Sequence, residues 1–276
     1  MSTTSSGILA HDELKERFGY DRGIVRRFTV FTGRPLEPDD PATVTEEVRQ
    51  VGEERRSAVG TGRDWCIDVL THSADGALRL VERWDMFGYR SGSATTAAPT
   101  SSAGAPAGAS GGASADAART TVAPSSAGPS TARELASFLL TAEQVRDRAR
   151  ANEAGGAVHH DTEAAQAAGA RDIFLDTRSQ ISLFSDLLAT AIPCTAEDRL
   201  VAVALTMRAP ICAGDRVGIM VDDTQDSTDD AGRSWTIVSM SAHVGARTHS
   251  RAELRLLRRT EDGPDPAAVD LGALLT

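Results

Sequence analysis

Arg208-Ala-Pro-Ile-Cys-Ala-Gly-Asp-Arg-Val217, then Gly232-Arg-Ser-Trp-Thr-Ile-Val238, then Arg251-Ala-Glu-Leu-Arg-Leu-Leu257 is the stretch that decides the fold. Gly214-Asp215 reads as a tight turn feeding a strand from Arg216 to Val221. An acidic loop, Asp222 to Asp230, follows, and Gly232 restarts the chain into a strand from Ser234 to Met240. The last strand, Ala252 to Leu257, alternates apolar and charged residues. Glycine supplies the positive φ such turns need, and alternation with period two marks a half-buried sheet. The expectation is a mainly β (α+β) fold: a small antiparallel β-barrel with accessory helices and a long low-complexity insertion.

The same alternation extends upstream. Arg199 to Met207 is a strand rich in β-branched residues. Trp65 to Leu70 and Leu78 to Trp84 form a hairpin about the turn Ser73-Ala-Asp-Gly76, and Val25 to Phe31 is a further strand. Leu9, Leu14 and Phe18 line a short helix ending at Gly19. Thr43-Val-Thr-Glu46 fits a capping box, yet Val44, Glu46, Val48 and Gln50 also alternate, so helix and strand both stand there. A second capping box, Thr131-Ala-Arg-Glu134, opens a helical stripe through Leu135, Phe138, Val145 and Ala149. Asp172 to Asp176 and Gln180 to Leu188 read as strands, the second with a helical alternative.

Residues 91–131 are dominated by Ser, Ala, Gly, Thr and Pro, with only Asp116 and Arg119 charged. Such a composition cannot bury enough apolar surface to offset its ordering entropy, so a flexible linker is expected. The chain then divides into 1–90 (helix and hairpin), 91–131 (linker), 132–156 (helix), 157–262 (C-terminal barrel region) and 263–276 (C-terminal arm).

The net charge is −10 and Lys15 is the sole lysine, so nothing resembles the basic footprint of a nucleic-acid binder. No apolar run is long enough to span a membrane, and the N-terminus lacks a secretory pattern. Cys66, Cys194 and Cys212 are far apart and read as buried thiols of a reducing compartment.

Motifs with chemistry are few. Gly108-Ala-Ser110-Gly-Gly112 matches a nucleophile elbow but lies in low-complexity sequence without the strand and helix that elbow needs. His159-His160-Asp161 is read as a solvated loop, because adjacent side chains point apart and no ligand partner stands nearby. The five aspartates of 222–230 lack the central glycine and closing glutamate of a calcium loop. No catalytic, cofactor-binding or metal residue is assigned, and no cofactor is expected. Asp222, Asp223, Asp226, Asp229 and Asp230, with Arg251, Arg255, Arg258 and Arg259, are the candidate assembly surface.

The apolar strand, the Gly-Asp-Arg-Val phrase, the acidic loop, Gly-Arg-Ser-Trp-Thr-Ile-Val and the basic closing strand resemble the head-to-tail connector proteins of tailed bacteriophages of GC-rich bacteria. The resemblance covers roughly 172–260 and implies a non-enzymatic virion protein. It implies a homo-oligomeric ring with a portal or adaptor protein on the head side and a tail protein on the other. DNA would pass through the lumen without sequence-specific binding, and the locations would be the virion and, during assembly, the host cytoplasm. The alternatives are a minor tail or tail-terminator protein, or a cytosolic β-barrel binding module without catalysis.

Overall fold

A computed structural model describes residues 8–35, 40–90 and 132–260, with 263, 265–266 and 269–272. The expected linker at 91–131 and much of the expected C-terminal arm lie outside the described residues. In chain order the elements are α1 (Leu9–Phe18), β1 (Arg22–Thr32), β2 (Ala42–Val51), β3 (Arg55–Ser57), β4 (Gly60–Ser73) and β5 (Leu78–Arg90). Then come β6 (Arg133–Leu139), α2 (Ala142–Ala151), α3 (Thr162–Ala167), α4 (Thr177–Ala191), β7 (Arg199–Met207), β8 (Arg216–Thr228), β9 (Ser234–Val244) and β10 (Arg247–Leu257).

The strands form one antiparallel sheet of 10 strands in the order β2-β4-β5-β1-β7-β10-β9-β8-β6, with β3 on β4. The fold is mainly β. It is an open sheet, because β2 and β6 end the path without pairing each other, and the expected closed barrel is corrected on that ground. The order hides a duplication. Helix α1 with β1, β2, β4 and β5 repeats α4 with β7, β8, β9 and β10, and the two inner strands β1 and β7 pair antiparallel from Arg27↔Thr206 to Phe31↔Ala202.

Both helices cover the same face. Residues directly opposite in a ladder share a side, so Trp84, Phe28, Leu205 and Ala252 form one row across β5, β1, β7 and β10. Trp84 and Phe28 belong to the core under α1, with Leu14, Trp65 and Ile67. Leu205 belongs to the larger core under α4, with Phe184, Leu188, Ile219, Met240 and Leu254. Ile181 of α4 packs against both. Trp65 can lie flat on β5 because Gly88 has no side chain: a Cβ there would stand 1.8 Å from the indole ring.

Several local expectations change. Ala42–Val51 is a strand, pairing with β4 from Ala42↔Ser73 to Val51↔Trp65. The stripe after Thr131 divides: Arg133–Leu139 extends along the edge of β8, and the capping box is formed after that strand, by Thr141 and Gln144. Thr177–Ala191 is a helix, its stripe of Gln180, Leu183, Phe184, Leu188 and Ala191 buried with helical spacing. Asp172–Asp176 makes only an isolated bridge, Phe174 to Cys212. The acidic segment is mostly strand, since β8 runs through Thr228 before the tip. Val238 is fully buried and Trp235 half-buried, on opposite faces of β9.

Candidate active site at the N-terminus of helix α4

Two groups of polar side chains lie on the segments that lead into α4. The first fixes the helix end. Asp176 is the N-cap, its Oδ1 accepting from the Ser179 amide at 2.8 Å. The Ser179 hydroxyl donates to the other carboxylate oxygen. Asn152, just past α2, donates from Nδ2 to Ser179 Oγ at 2.9 Å and to Asp176 Oδ1 at 3.3 Å. Asp176 and Ser179 are buried, so the network pins the start of α4 to the end of α2. Glu153 is the single described non-glycine residue with positive φ, at 51°, and it turns the chain away from α2 into 154–160.

The second group is the histidine pair. His159 lies on a 3-10 turn, Ala157–His159, its ring edge-on to Phe174. Its Nδ1 stands 2.8 Å from the Phe174 carbonyl oxygen. A carbonyl only accepts, so Nδ1 carries a proton, and in the neutral ring the lone pair lies on Nε2. Gly156 lies against that edge of the ring: a Cβ there would stand 3.3 Å from Cδ2 and 3.6 Å from Nε2. His160 is tethered by Nε2 to the Ala154 carbonyl at 2.8 Å, and its own carbonyl accepts from Arg146 Nε. Both rings are half-buried and bonded to backbone, so the expected solvated loop is a built turn. An imidazole with one nitrogen anchored on a backbone carbonyl can shuttle a proton through the other.

Arg178, in the first turn of α4, reaches across to the other half of the molecule. It makes a bidentate pair with Glu82 of β5 at 3.1 and 3.0 Å, and its guanidinium lies 5.9 Å from the Trp84 ring centroid. The guanidinium is held above its ordinary value, first by the Glu82 bond, against its own burial, with Asp176 and Glu153 adding to the pull. The first turn of α4 thus places a positive dipole end and Arg178 at the seam between the halves, where Glu82 of β5 meets the arginine.

The residues expected to form an assembly surface fall elsewhere. Asp222 accepts from Ser241, Asp223 from Thr224 and Gln225, and Asp226 from Thr236. Asp229 binds Arg233 and Trp235 inside its own hairpin, beside exposed Asp230. Arg251 and Arg255 lie on the helix-free face of β10, Arg255 bonded to Glu253. Asp226, Arg258 and Arg259 are brought together, lining a hollow of about 660 Å³ with Trp235 at the far end of α4 from His159. Its arginines are engaged: Arg258 with Pro193 and Asp198, Arg259 with Glu197 and Asp265. Among the described residues no group of three or more His, Cys, Asp or Glu side chains could hold a metal ion. Burial and Asp85 push the Cys66 thiol up to about 12.

The sequence passed over His159, Asn152 and Asp176. The available signal was Asp176-Thr-Arg-Ser179, a helix-capping pattern ahead of apolar residues at helical spacing.

No protein-family model matches the chain, and no curated protein does. Solved structures do. A conserved hypothetical protein from Mycobacterium tuberculosis with a double hotdog fold aligns over 86% of this chain and 75% of its own, at 15% identity and TM-score 0.52. The fold is the double hotdog. A MaoC-like dehydratase aligns over 91% of this chain and 82% of its own, at 14% identity and TM-score 0.61. A provisional oleoyl thioesterase from Lactobacillus plantarum aligns over 90% and 80%, at 11% identity and TM-score 0.50.

These likenesses overturn the connector expectation. The phrases that suggested it, Gly214-Asp-Arg-Val217 and Gly232-Arg-Ser-Trp-Thr-Ile-Val238, are the turns and strands of a double hotdog sheet, and such hairpins recur in unrelated folds. The virion location, the ring, the portal and tail partners and the DNA-lined lumen are withdrawn with it. So is the expectation of a protein without catalysis, because structures sharing this fold are named for dehydratase and thioesterase activity.

Proposed function

We propose that this double hotdog protein is an enzyme acting on an acyl thioester, adding or removing water with His159 as general acid and base. The observation that carries the proposal is the setting of His159 close to the start of α4: Nδ1 is fixed on the Phe174 carbonyl, and glycine at 156 keeps a side chain off the Nε2 edge of the ring. The fold neighbour named as a dehydratase supports the reaction class. The chemistry asks for a base that takes the proton next to the thioester carbonyl and for polarisation of that carbonyl as charge develops. Nε2 supplies the base. The N-terminal end of α4 supplies the polarisation, through its dipole and its first-turn amides other than that of Ser179, which Asp176 caps. The same imidazole, once protonated, can return the proton to the leaving hydroxyl.

Hydrolysis is the second reading. It is favoured by the stretch 154–158, Ala-Gly-Gly-Ala-Val, which places no second ionisable side chain before His159 in its own segment. A single imidazole suits activation of a water. The test is incubation of the full chain with an enoyl-CoA and, separately, with a long-chain acyl-CoA. Loss of the conjugated thioester absorbance reports hydration, and release of free thiol reports hydrolysis. His159→Gln should lower the observed rate at least ~100-fold with the melting temperature preserved. Turnover of neither substrate, or full activity in the variant, would sink the proposal.

A further inference from the structure

The hollow of about 660 Å³ beside the far end of α4 has no part in the chemistry proposed for His159. Its size falls within the range of small-molecule sites, about 300–1,000 Å³. Helix α4 has 15 residues, so at about 1.5 Å per residue its two ends stand about 22 Å apart.

The β8–β9 ladder builds one wall. Thr224 is directly opposite Val238, a core residue under α4, and Asp226 is opposite Thr236, so Thr224 and Asp226 share the α4 side. Ile192 and Pro193, just past α4, and Arg258 to Thr260, just past β10, complete the lining. Two bonds organise it. The Thr236 hydroxyl donates to Asp226 Oδ1 at 2.6 Å, and Arg258 donates to the Pro193 carbonyl at 2.8 Å, which ties the exit of β10 to the end of α4. Trp235 borders the same hollow, its indole held through Nε1 on Asp229 at 2.9 Å.

This lining excludes most classes of ligand. Half of its side chains carry hydroxyl groups, which match a hydrocarbon poorly. Arg258 and Arg259 already face Asp198, Glu197 and Asp265, and Asp226 adds a carboxylate to the wall, so an anion meets no unmatched positive charge. The same two arginines disfavour a cation. A neutral polyol suits every group. Each of its hydroxyls donates and accepts, Asp226 accepts, arginine N–H groups donate, and serine and threonine hydroxyls do either. The indole offers an apolar surface to the C–H side of a sugar ring.

We propose that this hollow binds a neutral sugar of about disaccharide size, with Asp226 accepting from its hydroxyls and Trp235 against its ring. The proposal stands apart from the acyl-thioester reading, and its test requires no turnover. Trp65 and Trp84 are 2% and 9% exposed, whereas Trp235 is half-buried at the hollow, so a ligand there should act on the emission of Trp235. Titrating the full chain with maltose, lactose and sucrose in turn should shift that emission and give saturation transfer to the sugar protons in NMR with at least one of them. Asp226→Asn keeps an acceptor for Thr236 and should weaken binding of that sugar about tenfold. Trp235→Ala should abolish the saturation transfer; if it fails to fold, Asp226→Asn decides. Octyl maltoside below its micellar concentration, set against maltose, separates two sources of the sugar: equal affinity assigns a free saccharide, and tighter binding the head of a glycolipid. Absence of binding by all three disaccharides overturns the proposal. So does displacement of the sugar by inorganic phosphate, which would mark an anion site, and so does unchanged affinity in Asp226→Asn.

Discussion

Four donors converge on one carboxylate at Asp229: the amides of Ala231 and Arg233, the Arg233 guanidinium and the Trp235 indole. Burial opposes the charge, but the bonds from Trp235 and Arg233 outweigh it and hold this carboxyl below the usual carboxylate range. A depressed folded value means its stabilisation is full above the unfolded value of about 3.9 and fades as pH falls through the lower folded one. Asp229→Asn should therefore destabilise the protein near neutral pH, and the gap between variant and parent in urea unfolding should shrink on acidification below about pH 4. A gap independent of pH would refute this role. In the sequence Asp229 looked like one of five interchangeable aspartates. Its distinct task depends on Trp235 folding back six positions, which composition does not reveal.

At the scale of elements, strands were read well where one face is buried and poorly at edges. β7 and the β4–β5 hairpin announced themselves by alternation and β-branched residues. Strand β6 did not, because Leu135 and Phe138 also fit a helical stripe, and only the pairing with β8 decides between them. Gln180 to Leu188 read as a strand with a helical alternative, and the helical period of α4 emerges only over the full element. Capping acts across elements too. The N-cap of α1, Ile8, offers no side-chain bond, and Glu46 of β2 reaches over instead, accepting from the Leu9 and Ala10 amides at 3.1 and 2.7 Å. Glu46→Ala should cost about 1 kcal/mol in chemical denaturation, and Glu46→Gln less, since an acceptor remains. Equal losses for the two would mean that packing, not the cap, is what Glu46 supplies.

For the whole molecule, the sequence carried the class, mainly β, but not the duplication. The two halves share a topology without sharing a sequence phrase, and α1 has 10 residues where α4 has 15. Nor could the candidate site be read, since Asn152 reaches Asp176, and His159 the Phe174 carbonyl, only when α2, the 3-10 turn and the start of α4 are folded together. The duplication has a testable corollary. Residues 132–276 alone would leave β7, with Leu200, Val201, Val203 and Leu205, as an open edge in place of its pairing with β1. That fragment should self-associate through β7, as sedimentation at rising concentration would report, and a strictly monomeric, soluble fragment would refute it.

The central β1–β7 ladder also governs the order in which the chain can organise itself. Nearly all other pairings are local hairpins or neighbours within one half, whereas the Thr32 hydroxyl bonds the Leu200 carbonyl across 168 positions of sequence. Loop closure costs only about 0.6 kcal/mol more for each doubling of the intervening chain. The joint is therefore nearly indifferent to the length of its tether. Two prefabricated halves can be clasped by one short zipper whether the connection from Arg90 to Arg133 is brief or long, which makes that connection the cheapest place for this protein to have gained sequence.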